Sequence, residues 1–152
     1  MKISYTRAQV SDWETVHSLF LEAISFADGT YHADTEKDAV IHFIKTVQVF
    51  LLIDDSVPVG MISYSETEPG CFYVEELVIG HNIKGKGYGN EALSWLLDKL
   101  KLAKSVSLVT HPHNTPAIRL YLKHGFRIEE WKDNFYGDGT PRIRMMRTKN
   151  KE

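Results

Sequence analysis

The segment Lys84-Gly85-Lys86-Gly87-Tyr88-Gly89-Asn90 has the composition of a phosphate cradle. Glycines at alternate positions admit positive φ and let a ligand approach the main chain. An apolar, strand-like run precedes the segment and an amphipathic run follows it, so it joins a strand to a helix. The first amides of a helix have no internal acceptor. An anion placed there gains the helix-terminus field, on the order of 0.3–2 kcal/mol, plus direct hydrogen bonds. Lys84 and Lys86 add positive charge. A triphosphate loop is excluded: Gly80 to Lys86 matches G-x-x-x-x-G-K, but Gly87 stands where a magnesium-holding Ser or Thr belongs. The dinucleotide fingerprint fails as well, because Asn90 replaces its third glycine and no acid lies near position 105.

Ionisable residues lie on both sides of this turn. Glu75 and Glu76 interrupt the apolar run Cys71–Ile79. On a regular strand they face opposite sides, so one turns to a covered or cleft face where burial raises its pKa into the range of a working base. Downstream, Ala117, Tyr121 and Gly125 fall at i, i+4 and i+8 of a helix and line one face, leaving the Tyr121 ring room. His111 and His113 flank Pro112, but no third ligand accompanies them, so a metal site is not expected. A place near a substrate, or service as an auxiliary base, is open to them beside the ordinary surface-loop reading. Cys71 reads as packing.

The elements that must position these groups follow from periodicity. Lys2 to Ala8 alternates as a strand, and Ser11 caps a helix to Ala27. A second helix runs from Asp34 or Thr35 to Lys45. Val47–Ile53 and Val57–Tyr64 form a hairpin around Asp54-Asp55-Ser56, and Cys71–Ile79 is the next strand. A helix from Gly87 to Leu100, a strand Ser105–Thr110, and a helix capped by Asn114 and ended by Gly125 come next. Phe126–Trp131 and Arg142–Arg147 close the chain as strands. This order indicates a mixed α/β sheet with helices on its faces.

The 152 residues favour one domain, expected over 1–148 with a polar tail at 149–152. Net charge is −2, without the clustered positive charge that nucleic-acid binding needs. The N-terminus lacks a signal-peptide run, and no stretch has the roughly 18 apolar residues of a membrane span. One cysteine allows no internal disulfide, and a cytoplasmic setting is expected.

Two motifs together resemble the GNAT superfamily of acyl-CoA-dependent N-acetyltransferases. Lys84-Gly85-Lys86-Gly87-Tyr88-Gly89 resembles its Q/R-x-x-G-x-G/A signature, with Lys84 in place of Gln or Arg. Asn114 to Phe126 matches N-x-x-A-x-x-x-Y-x-x-x-G-F at every fixed position. Tyr73–Glu91 is also similar to diamine and polyamine acetyltransferases. The resemblance implies a mostly antiparallel central sheet of six to seven strands flanked by about four helices, with acetyl-CoA as co-substrate and no metal. It implies that Leu77, Val78 and Ile79, the turn Lys84, Gly85, Lys86, Gly87, Tyr88, Gly89 and Asn90, and Asn114, Ala117 and Tyr121 hold the cofactor. It aligns Glu75 with a catalytic base and Tyr121 with the acid that meets the departing thiolate. The acceptor is then expected between Phe26–Asp34 and Lys132–Pro141, where Tyr31, His32, Trp131, Phe135 and Tyr136 accompany Asp28, Asp34, Asp133 and Asp138. That set suits a cationic amine of a small molecule. A closed pocket lined by Tyr31 and Tyr136 would favour such an acceptor, and an open trough a peptide N-terminus or lysine. A non-catalytic CoA-binding module is the third reading. A homodimer joined by the final strands is compatible with the resemblance.

Overall fold

The computed structural model describes residues 3–149. Lys2, expected in the first strand, and tail residues 150–152 lie outside the described residues. Lys149 is tied to the body of the chain, its amide donating to the Lys104 carbonyl (3.2 Å).

The described strands are β1 (Ile3–Arg7), β2 (Gln48–Asp54), β3 (Val57–Glu68), β4 (Cys71–Ile79), β5 (Ser105–Thr110), β6 (Arg127–Lys132) and β7 (Arg142–Thr148). They form one sheet in the order β1-β2-β3-β4-β5-β7-β6. Only β4 and β5 run parallel; the other neighbours are antiparallel. The helices are α1 (Trp13–Phe26), α2 (Lys37–Thr46), α3 (Tyr88–Lys99) and α4 (Thr115–Lys123). This is the mixed, mostly antiparallel architecture expected.

Each sheet face carries its own core. On one, Val16, Leu19 and Phe20 of α1 and Val40 and Ile44 of α2 bury against Val49, Leu51, Met61 and Val78. On the other, Ala92, Leu93, Leu96 and Leu97 of α3 pack on Leu52, Ile62, Val74, Leu108 and Met145, joined by Tyr121 and Phe126. Each such leucine contributes roughly 1.5–3 kcal/mol through the apolar area it removes from water.

Boundaries moved where local bonds outweighed the periodic signal. Ser11 does not cap α1. It lies in a 3₁₀ turn, Val10–Asp12, in which the Gln9 amide donates to the Asp12 carboxylate (2.8 Å), so α1 starts only at Trp13. β3 continues past Tyr64 because its partner extends back to Cys71, which pairs with Glu68.

Two irregularities in β4 prepare the site. Its ladder with β5 comprises only Cys71–Tyr73 against Ser105–Ser107, after which the strands part. Its ladder with β3 slips: Ser63 pairs with Glu76 and Tyr64 with Val74, leaving Glu75 as the extra residue of a bulge. The slip shows in the packing. Phe72 and Val74 belong to the α3 side, and so do Leu77 and Ile79, although an even-to-odd change separates the pairs. Among the described residues no helix is long and apolar enough to cross a membrane.

Candidate active site

The glycine-rich turn folds as its composition dictates. Gly85 and Gly87 take φ of +84° and +85°, a region that side-chain-bearing residues enter at a cost. Gly87 caps α3, its carbonyl accepting the Glu91 amide (3.0 Å). The amides of Tyr88, Gly89 and Asn90 therefore face out of the helix start. Asn90 Oδ1 meets His124 Nε2 (2.8 Å), tying the start of α3 to the end of α4.

Beside the turn runs a cleft of about 400 Å³ between the free edge of β4 and the start of α4. Leu77, Ile79, Lys84, Gly85, Gly87, Tyr88, Gly89, Asn90, Asn114, Ala117 and Tyr121 all line it. Three expected cofactor residues differ in role. Val78 sends its side chain into the α1–α2 core, so only its main chain is free for a ligand. The Tyr88 ring is buried and its hydroxyl binds Asp54, so it too offers backbone only. Lys86 is exposed and does not line the cleft.

Asn114 caps α4 as its motif requires, its Oδ1 accepting the Ala117 amide (3.3 Å). Gly125, at φ +88°, lets the Phe126 amide turn back to the Tyr121 carbonyl (3.0 Å). This closure sets Tyr121 edge-on to Phe126, with ring centroids 5.8 Å apart. Tyr121 also lines a second, smaller cavity of about 80 Å³, which opens where β4 and β5 part. Leu77 and Asn114 line both cavities as well.

The expectation that Glu75 and Glu76 take opposite faces is overturned by the bulge: both line this second cavity. Their surroundings differ. Glu75 accepts from Ser65 Oγ (2.8 Å). Glu76 accepts from the Tyr31 hydroxyl. Burial pushes the Glu76 carboxyl up from 4.5 to about 8; the Tyr31 bond opposes this and the Glu75 charge adds to it. The Tyr121 hydroxyl is held well above the ordinary phenol value, chiefly by burial and then by the Glu76 charge. It stays protonated and able to donate. Both carboxyl groups therefore reach the cavity, Glu75 held by Ser65 and Glu76 by Tyr31.

Tyr31, His32 and Tyr136 line the cavity from the expected loops, His32 stacking on Tyr136 at 4.7 Å. The acids expected there do not line it. Asp133 accepts from Trp131 Nε1 (2.7 Å), and Asp34 from the Glu36 amide (3.1 Å). Asp138 is drawn down to about 2 by its bonds from Thr140, with Arg142 adding to the effect. Trp131 and Phe135 are exposed and stand off the cavity as well.

Two further residues line the cavity: His111, for which a place near a substrate was open, and Arg142, which the motifs did not single out. His111 is buried and its pKa is lowered, first by burial and then by the Arg142 charge. Arg142 is 2% exposed and lies 5.1 Å from the Tyr136 ring centroid. In the sequence Arg142 and Arg144 alternate with Ile143 and Met145, a pattern that ordinarily marks a solvated strand face.

Among solved structures, the chain is similar to Ard1 of Thermoplasma volcanium (18% identity, 99% of this chain and 100% of that one, TM-score 0.81). It is similar to the PaiA N-acetyltransferase of Thermoplasma acidophilum in complex with coenzyme A (18% identity, 97% and 99%, TM-score 0.80). It also matches the ribosomal-protein-S18-alanine N-acetyltransferase of Escherichia coli (15% identity, 99% and 96%, TM-score 0.79). At these identities the likeness is one of fold. The model of the acetyltransferase (GNAT) family matches residues 13–126, three-quarters of the chain and including both motifs and the paired glutamates. The chain therefore belongs to the GNAT family of acetyltransferases.

Proposed function

We propose that this enzyme moves an acetyl group from acetyl-CoA to the primary amine of a small molecule, by direct attack while both substrates are bound. One observation carries the reading: a desolvated carboxyl, Glu76, and a buried hydroxyl, Tyr121, line a small cavity that adjoins the cradle cleft through Leu77, Asn114 and Tyr121.

The cleft fits the cofactor on its own features. The positive-φ glycines and the open amides of α3 suit a pyrophosphate. The β4 edge beyond Tyr73, unpaired by β5, offers main-chain donors and acceptors to an amide-bearing arm, as an added strand would use them. The cofactor supplies an activated acetyl thioester. Glu76 takes a proton from the acceptor's ammonium, directly or through water, and so frees the attacking lone pair. As the new C–N bond forms and the C–S bond breaks, Tyr121 gives its proton to the departing thiolate, and the phenolate so formed takes the second proton from the new amide nitrogen, directly or through water. General acid and base contributions of this kind are typically 10²–10⁴-fold each.

The narrowness of the cavity favours a small acceptor over a peptide. Its volume, about 80 Å³, is far below the roughly 300–1,000 Å³ of drug-sized sites, and Tyr31 and Tyr136 line it. The test is a panel of amines with acetyl-CoA, read by free-thiol release. Small primary amines should turn over, and Glu76→Gln and Tyr121→Phe should each suppress the rate. Full activity in both variants would refute the assigned roles. Turnover of peptides alone would refute the small acceptor.

A further inference from the structure

The cavity beside Glu76 is polarised. Its β4 wall carries the carboxyl groups of Glu75 and Glu76; its far wall carries Arg142, at the start of β7, and His111, just past β5. Arg142 is among the largest fully buried side chains of the described residues. Its Nη1 donates to Thr140 Oγ1 (2.5 Å) and the Pro141 carbonyl (3.0 Å), and its Nη2 to Asp138 Oδ2 (3.2 Å). A guanidinium has about five N–H donors. These bonds leave two without a protein partner among the described residues. His111 Nδ1 accepts the His113 amide (3.0 Å), so the neutral ring carries its proton on Nε2, a further donor on this wall.

Fastening a hairpin does not require this arrangement. An apolar side chain would close the same corner without the desolvation that a buried charge incurs. Spare donors beside a cavity give the burial a use. A planar guanidinium edge matches the two oxygens of a carboxylate, and Asp138 holds that edge in place from the far side. A simple cationic amine would leave the two free donors of Arg142 without a partner. A zwitterion brings an anion to that wall and its ammonium to the β4 wall.

We infer that the acceptor is an amino acid: an amine with a carboxylate a few atoms away, the carboxylate bound by Arg142 with His111, and the amine turned to Glu76. This rests on the acetyltransferase reading and specifies its substrate class.

The experiment gives the full-length protein acetyl-CoA with the common amino acids, their methyl esters, β-alanine and simple alkylamines, and follows thiol release. At least one free amino acid should exceed its methyl ester by about 100-fold in kcat/KM, because the ester leaves the buried donors unpaired. Arg142→Gln should remove that ratio by slowing the acid and sparing the ester, and Arg142→Lys should retain part of it. Esters or alkylamines that match or exceed the acids in wild type would overturn the inference. So would an Arg142→Gln variant that slows acid and ester equally, because Arg142 would then serve only the hairpin. If that variant does not fold, the wild-type ratio decides. Turnover of no amine of any kind would overturn the acetyltransferase reading, and this inference with it.

Discussion

Replacing Glu76 by glutamine should stabilise the protein while removing most of its activity, and the gain should depend on pH. Glu76 sits at 4.5 in an open chain and at about 8 in the fold. Between those values the unfolded chain has released a proton that the folded protein still holds. Raising pH through this window therefore favours unfolding, and the effect levels off above 8. At about 1.4 kcal/mol per pH unit, the loss is about 3 kcal/mol at pH 7 and approaches about 5 kcal/mol above pH 8. Glutamine keeps the carbonyl that accepts from Tyr31 and has no proton to release. Denaturant unfolding of wild type and Glu76→Gln at pH 4.5, 7 and 8.5 measures the difference, and other titrating groups cancel in it. The variant should match wild type at pH 4.5 and exceed it by those amounts at higher pH. At about 2–4 °C per kcal/mol for a chain of this size, the gain above pH 8 is about 10–20 °C in Tm. A difference that does not change with pH would refute the desolvated carboxyl, and with it the reason for choosing Glu76 over Glu75.

Three further outcomes follow from the same geometry. The rate should rise with pH and level near 8 as Glu76 ionises; Tyr31→Phe removes a donor that lowers the Glu76 pKa, so a pH–rate profile of that variant should be displaced to higher pH. Tyr121→Phe keeps the ring against Phe126 and loses only the hydroxyl, so kcat should fall about 100-fold with KM for acetyl-CoA nearly unchanged, as steady-state kinetics will show. Gly87→Ala forces a Cβ into positive φ, so thermal unfolding should register a loss of about 1–2 kcal/mol, and calorimetry should show weaker acetyl-CoA binding.

The sequence disclosed what local chemistry decides. Gly85 and Gly87 of the cradle, the Asn114 cap and the Gly125 turn each answer to a backbone requirement within a few residues, and each took the conformation its type implies. The bulge at Glu75 was hidden because it is set by register against β3, which strict alternation along β4 does not contain. Arg142 was hidden because its burial comes from the hairpin folding back through Asp138 and Thr140. The loop acids were misread for the same reason. Their partners, Trp131, Glu36, Thr140 and Arg142, are short-range, but only the folded loops show that those bonds engage them.

The two irregularities of β4 act together. A central strand that stays paired on both edges has no free main chain for a ligand and no room for one. Ending the β5 ladder at Tyr73 supplies both, and α4 covers the gap with Asn114 and Tyr121. A regular strand through the gap would still turn Glu75 and Glu76 to opposite faces, leaving one carboxyl on the α3 side against Val74 and Leu77. The extra residue turns both to the acceptor side, where Ser65 binds one and Tyr31 the other. Deleting Glu75 should therefore do more than remove a charge. Restored alternation would rotate either Glu76 or the Leu77–Ile79 edge out of place, so the deletion should impair acceptor turnover and acetyl-CoA binding together. Glu75→Ala, which keeps the bulge, should leave acetyl-CoA binding intact. Calorimetry on the two variants separates the backbone device from the side chain, and equal binding in both would show that the bulge does not position the cleft.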